Sequence, residues 1–183
     1  MEVQRFWDFS VRTYRTASVP EACLSLQNEH GVDVNMLLYC VWVGAVAGSF
    51  DAESFKRAHE YSVEWAENVV IPLRKARTWM KHTGCQRDPV PASDCMNFRE
   101  DIKGVEFAAE KMQQEVLESM LAAEKNRDAT NDRRIADVTA NLQLYFGEKC
   151  IPVTDEVRRK LSVIIRAALP DAEERVIENA LRR

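Results

Sequence analysis

The sequence predicts an all-α protein: a single-domain helical bundle with a central apolar helix and a C-terminal helical hairpin. Three observations predict it. Apolar residues recur at intervals of three and four through most of the 183 residues, the period of one helix face. No stretch of useful length alternates apolar and polar residues as a half-buried strand does. Six Gly and six Pro are too few for the many tight turns of a sandwich or barrel.

The first helix is expected over Arg5 to Tyr14, with Phe6, Phe9 and Val11 inward and Arg12 and Arg15 outward. Ser18-Val-Pro-Glu21 has the form of a capping box. It starts a second helix, which Gly31 ends in the left-handed conformation. Asp33 caps a third helix, Val34 to about Ala47. Its run from Met36 to Ala47 is apolar on every side, which places it at the centre. That run is also shorter than the about 20 residues a bilayer span needs, so no membrane span is expected.

Ser49 or Asp51 caps a long fourth helix, whose stripe is Phe55, Ala58, Ser62, Trp65, Val69, Leu73, Ala76 and Met80. Pro72 should kink that helix or split it after Ile71, since it removes a donor and crowds the preceding turn. Residues 83–97 read as one long irregular stretch, a length that in a compact domain is usually functional or disordered. Phe98 to about Glu124 forms the next helix, with Ile102, Val105, Ala109, Met112, Val116 and Met120 close to a heptad repeat.

Asn126 to Asp132 reads as a turn with a cap, and a helix follows from Asp132 to Tyr145. Ile135, Val138, Leu142 and Tyr145 face inward, and Gly147 stops it. Thr154 caps a further helix whose stripe is Val157, Leu161, Ile164 and Ala168, and Pro170 ends it. Asp171-Ala-Glu-Glu174 opens the last helix as a capping arrangement. Residues 1–147 therefore form the bundle core, and residues 148–183 a helical hairpin packed on the same domain.

The net charge of −4 gives no global attraction to nucleic acid or anionic lipid, so neither partner is expected. The five cysteines form no C-x-x-C pair, and Met1 to Arg5 run into a mixed polar and aromatic segment without a secretory leader. All five are expected as free thiols in a reducing cytoplasm, which disfavours a bridge between Cys85 and Cys95 although both flank one loop.

Metal and nucleophile signatures are absent. A di-iron bundle needs Glu-x-x-His on two helices, and none occurs. Glu60, Glu64 and Glu67 read as a solvated face. Cys85, three residues after His82, reads as an incidental loop cysteine. No catalytic residue, metal or cofactor is expected.

Two sets of residues stand out. Arg74, Arg77 and Lys81 lie three and four apart on one helix face, beside Trp79 and His82. Such a row can hold a phosphate or carboxylate, Arg contributing bidentate contacts, but cations near a helix C-terminus are favoured in any protein. Gln27, Asp33 and Asn35 lie on or next to the most apolar helix, where buried amides need partners and fix one packing arrangement.

Phe6-Trp-Asp-Phe-Ser10, Val19-Pro-Glu-Ala-Cys-Leu-Ser-Leu-Gln27, Gly31-Val-Asp-Val-Asn35 and Leu37-Leu38 resemble the first block of an uncharacterised proteobacterial family of small helical proteins. Trp65 with Val69-Val-Ile-Pro-Leu-Arg74 and Arg77 resembles its second block, and Glu106-Phe-Ala-Ala-Glu-Lys-Met-Gln113 a third. The resemblance covers about residues 6 to 121. It implies a bacterial cytoplasmic helical protein and carries no established activity. It also marks Gln27, Asp33, Asn35, Arg74, Arg77 and Glu110 as polar positions within its motifs. Glu110 lies off the strict apolar stripe of its helix and is placed to pair with Arg74 or Arg77 across the bundle.

Two functions follow as expectations. The first is a non-enzymatic interaction or regulatory protein, docking a protein partner or a second copy through its C-terminal helices. The second is a bundle that binds a small molecule or phosphate, with or without catalysis, through Arg74, Arg77 and Lys81 with Asn35 as orienter. An exposed apolar patch on the tail would favour the first, and a pocket between the third and fourth helices the second.

Overall fold

The computed structural model describes residues 5–82, 85, 91–121 and 129–182. In chain order its helices are α1 (Phe6–Tyr14), α2 (Val19–His30), α3 (Val34–Val46), α4 (Ala52–Trp65), α5 (Ile71–His82), α6 (Ala92–Ser119), α7 (Asn131–Glu148), α8 (Asp155–Ala168) and α9 (Glu174–Leu181). A π-helical turn, Ala66–Val70, joins α4 to α5. The described residues contain no strand, and no helix among them is long and apolar enough to cross a membrane. The all-α bundle expected from the sequence is the fold found.

Helix α3 lies at the centre because it has no polar side to show to water: every residue from Asn35 to Ala45 is buried. Phe6 of α1 packs against Tyr39 and Trp42, with ring centroids 5.4 and 5.2 Å away. Helix α7 lies against α3 so closely that a Cβ on Gly44 would stand 2.5 Å from the Val138 Cα. The stripe Ile135, Val138, Leu142 and Tyr145 is buried as expected. So is the α8 stripe, and with Ile177 and Leu181 of α9 it joins the same hydrophobic core as α1 to α3.

The caps divide into those met and those not. Asp33, Asp51 and Thr154 each accept from a first-turn amide, and Gly31 closes α2 at φ 65°. Ser18 does not form the expected capping box: it is itself left-handed, at φ 69°, and makes no side-chain cap bond. A capping hydroxyl needs the extended backbone that Asp33 and Thr154 have. At α9 the helix starts at Glu174, after Glu173, and again no side chain caps it. Thr130, not Asp132, caps α7, and Gly147 lies inside the last turn instead of stopping it.

Helix α6 begins at Ala92, so the second part of the expected 83–97 loop is helical. The rest of that stretch apart from Cys85 and Pro91, the turn at 126–128, and Glu124 lie outside the described residues. Cys85 and Cys95 form a disulfide, with Cα atoms 5.3 Å apart, which corrects the expectation of five free thiols. Composition does not register that proximity. Cys23, Cys40 and Cys150 are free.

Two helix faces differ from expectation. The break at Pro72 takes the form of a π-turn just before it, which inserts one residue into the helical period. Beyond it the inward face shifts over the first two turns of α5, while Met80, on the expected stripe, is buried again. Val70 is buried, Arg74 and Arg77 turn toward α6, and Ala76 is exposed. On α6 the buried face carries Glu106, Ala109, Gln113, Gln114 and Leu117, while Val105 and Met112 are 55% and 53% exposed.

Candidate functional site

The polar face of α6 meets α2, α3, α4 and α5 in one continuous row. At one end the Arg74 guanidinium donates from Nε to Glu106 Oε1 at 3.0 Å, from Nη1 to Gln27 Oε1 at 2.9 Å and from Nη2 to Glu110 Oε1 at 2.8 Å. Arg77 donates from Nε to Glu106 Oε2 and from Nη2 to Glu106 Oε1, a bidentate grip. Two cations and two carboxylates thus neutralise one another in a half-buried wedge. The Glu106 side chain is only 7% exposed, while the two arginines keep about a quarter of theirs in water.

At the other end, Asp33 Oδ1 caps the Asn35 amide at 2.9 Å, while its Oδ2 accepts from Ser62 Oγ at 2.6 Å and Gln113 Nε2 at 2.8 Å. Asn35 Nδ2 donates to Gln113 Oε1, and Gln114 Nε2 donates to Asn35 Oδ1, both at 2.7 Å. The Tyr145 hydroxyl accepts from the Asp33 amide at 2.9 Å.

Burial pushes the Glu106 carboxyl up. The hydrogen bonds and charges of Arg77 and Arg74 outweigh that and hold it below the ordinary carboxylate value. Glu110 goes the other way: burial raises it, the Glu106 charge adds to the rise, and Arg74 only partly offsets them. The hydrogen bond to Glu106 raises Arg77 further, so it stays a cation at every accessible pH.

The structure brings together six of the seven residues singled out from sequence. Gln27, Arg74, Arg77 and Glu110 share the charged end, and Asp33 and Asn35 the amide end. The expected pairing of Glu110 is with Arg74. Lys81 is exposed and takes no part. Sequence reasoning missed Glu106, Ser62, Gln113, Gln114 and Tyr145. Glu106, Glu110 and Gln113 stand at i, i+4 and i+7, a helix-face spacing masked by the more visible apolar heptads beside it.

At the charged end both carboxylates, Glu106 and Glu110, already receive a guanidinium, and both guanidiniums already face carboxylates. An incoming anion would have to displace Glu106 or Glu110. The arrangement locks α5 and α2 onto α6 in one register, the best-attested use of buried polar groups. A shallow cavity of about 200 Å³ lies elsewhere, between α7 and the tail, lined in part by Thr139, Leu142, Arg158 and Leu181.

A second feature lies on the outer side of the same helices. Phe98, Val105, Met112 and Val116 share one flank of α6 and are between 37% and 59% exposed; Trp79 of α5 is also exposed, and Phe107, on another side of α6, packs edge-on against Trp7. Trp65 reaches across from α4, donating its indole N–H to the Ala109 carbonyl at 3.0 Å, and stacks on Tyr61.

Fold and site together define a helical protein whose longest helix buries a charged row and turns an apolar flank to water. The chain belongs to a family of proteins of unknown function, DUF2390, whose model matches residues 5–117. The matched region contains every residue of the polar row except Tyr145. No curated protein and no solved structure matches the chain.

Proposed function

We propose that the protein is a non-enzymatic interaction module that docks a protein partner on the outer flank of α6. One observation carries this: Phe98, Val105, Met112 and Val116, four large apolar residues on one flank of α6, stand in water while another face of the helix is packed through the inner polar row. Exposed apolar residues scattered singly need no explanation, but a set along one helix flank marks an interaction surface. This reading places the docking face on α6 in preference to the C-terminal helices, whose apolar stripes join the bundle's own core. The anion-binding alternative has less support, because Arg74 and Arg77 are neutralised in place. The bacterial cytoplasmic setting implied by the sequence resemblance remains part of this proposal. The Cys85–Cys95 bridge pulls against it, since disulfides persist in oxidising compartments.

The test is site-specific photocrosslinking in the source cell. A photoreactive side chain at Val105 or Met112 should give discrete adducts, and one at the exposed Gln143 on α7 should not. Equal or absent adducts at all three positions would remove the α6 flank as a docking face.

A further inference from the structure

We infer that the partner covering the α6 flank is a basic amphipathic helix; the inference rests on the interaction function proposed above and adds the chemistry of what binds. Phe98, Val105 and Met112 stand seven residues apart, and Val116 follows Met112 by four, so helical geometry lines them up along one flank. Buried Ala109 lies at the inner edge of that flank, and its carbonyl receives the Trp65 indole, so Trp65 and its stacking partner Tyr61 stand beside the strip on α4. An aromatic side chain covers ~150–250 Å², so Phe98 at 59% exposure leaves on the order of 100 Å² in water and the whole strip several hundred. A strip long, narrow and heptad-spaced is the seat for a helix lying lengthwise, reached by its i, i+3, i+4 and i+7 side chains.

The rim decides which helix. Asp94 and Asp101 border the strip on α6, with Glu115 further out on the same helix and Glu64 on the α4 side, all exposed. Among the described residues no cation stands against Asp101 or Glu64, and Asp94 meets the Ser93 hydroxyl. Glu115 meets Lys111 at 3.8 Å, a loose surface pair. Arg57 on α4 is turned to the Met120 carbonyl. An apolar floor inside an acidic rim is complementary to a helix with leucine-like residues on one face and lysine or arginine on the other. A second copy of this chain would bring the same acidic rim against itself, which disfavours it as the occupant.

The full chain is titrated with two synthetic helices that share one leucine face, the first with lysine on the other face and the second with glutamate, and tryptophan fluorescence reports binding. The lysine helix should bind and the glutamate helix should not. Val105→Glu discriminates further, because it adds a negative charge to the surface while breaking the apolar strip. A seated helix loses at least about tenfold in affinity, whereas diffuse attraction between charges grows stronger. Asp101→Lys should weaken the lysine helix as well. Val105 is more than half exposed, so an unchanged melting profile is expected and separates lost binding from lost fold. Binding of the lysine helix to Val105→Glu as tight as to the wild type overturns the inference. So does a wild-type chain that sediments at twice its 21.0 kDa mass and becomes monomeric in Val105→Glu, because a second copy then covers the strip. Failure of both helices to bind, with adducts still formed at Val105 in the cell, removes the basic helix and leaves the interaction function standing.

Discussion

Glu106→Gln tests whether the charged row holds the α5–α6 pair. Glu106 receives three hydrogen bonds from two guanidiniums and is almost wholly out of water. Removing one member of a buried ion pair typically costs ~3–5 kcal/mol, because the other is left without compensation. Here the stranded groups are the arginines, which keep 28% and 25% of their side chains exposed and so recover part of their hydration. Arg74 also keeps Glu110 and Gln27. Those reductions bring the expected loss to about 2–3 kcal/mol, or a fall of roughly 5–10 °C in Tm for a chain of this size. Urea denaturation followed by circular dichroism at neutral pH measures it. The pH dependence supplies a second check. The folded Glu106 carboxyl sits below its ordinary 4.5, so its contribution is fully present above that value and fades as the pH falls through the lower, folded value. The gap between variant and wild type should therefore close in acid. A loss below ~0.5 kcal/mol at neutral pH, or a gap independent of pH, would refute the structural role of the row.

Three further outcomes follow from particular contacts. Gly44→Ala places a methyl group 2.5 Å from the α7 backbone at Val138, so α3 and α7 must separate; at least about 3 kcal/mol of stability should be lost in a urea titration. Glu110→Gln should be no less stable than the wild type at pH 7, because burial makes the charged form costly while the amide oxygen can still accept from Arg74. A carboxyl raised in the folded state gains stability as the pH falls from above that raised value toward 4.5, and urea midpoints across that window should show the gain in the wild type and not in the variant. Alkylation counted by mass should label exposed Cys150 in the native protein, all three free cysteines in denaturant, and all five only after reduction. Buried Cys23, its thiol pushed up to about 12 by burial, should stay silent until unfolding.

Much of the fold was legible because most helices bury an unbroken apolar stripe. Val157, Leu161, Ile164 and Ala168 on α8, and Ile135, Val138, Leu142 and Tyr145 on α7, are spaced as read and buried as read. So is the all-round apolar run of α3. The candidate site was half legible: Gln27, Asp33, Asn35, Arg74 and Glu110 could be marked as polar groups near apolar helices, and Glu110 could be paired. Their partners could not be found, because hydrophobic periodicity assigns the inward face of α6 to Val105 and Met112, and the structure gives it to Glu106, Glu110 and Gln113. The caps expected at Ser18 and Asp171 did not form for local reasons: Ser18 is left-handed where a cap needs extended backbone, and α9 begins only after Glu173, past the reach of Asp171 as its N-cap. The disulfide was missed because the argument from compartment addresses chemistry and says nothing of distance.

The turn of Arg74 and Arg77 toward α6 follows directly on the π-turn, and whether the π-turn causes it can be tested. In an uninterrupted helix, the face of Ser62 continues through Val69, Leu73, Ala76 and Met80, and the pair would close with an ordinary apolar seam. The π-turn Ala66–Val70 adds one residue, which rotates the first turns beyond it by about 100° and delivers Val70, Arg74 and Arg77 to α6 instead. Pro72 favours the insertion, since its nitrogen has no hydrogen to give the preceding turn. Deleting Asn68, an exposed member of the turn, should restore the α-helical period and swing Leu73 and Ala76 inward. The Arg77–Glu106 contact is then gone, so Glu106→Gln made in the deletion background should cost close to nothing. If it costs as much there as in the full chain, the register is set by the charged row itself, and the π-turn is its consequence instead of its cause.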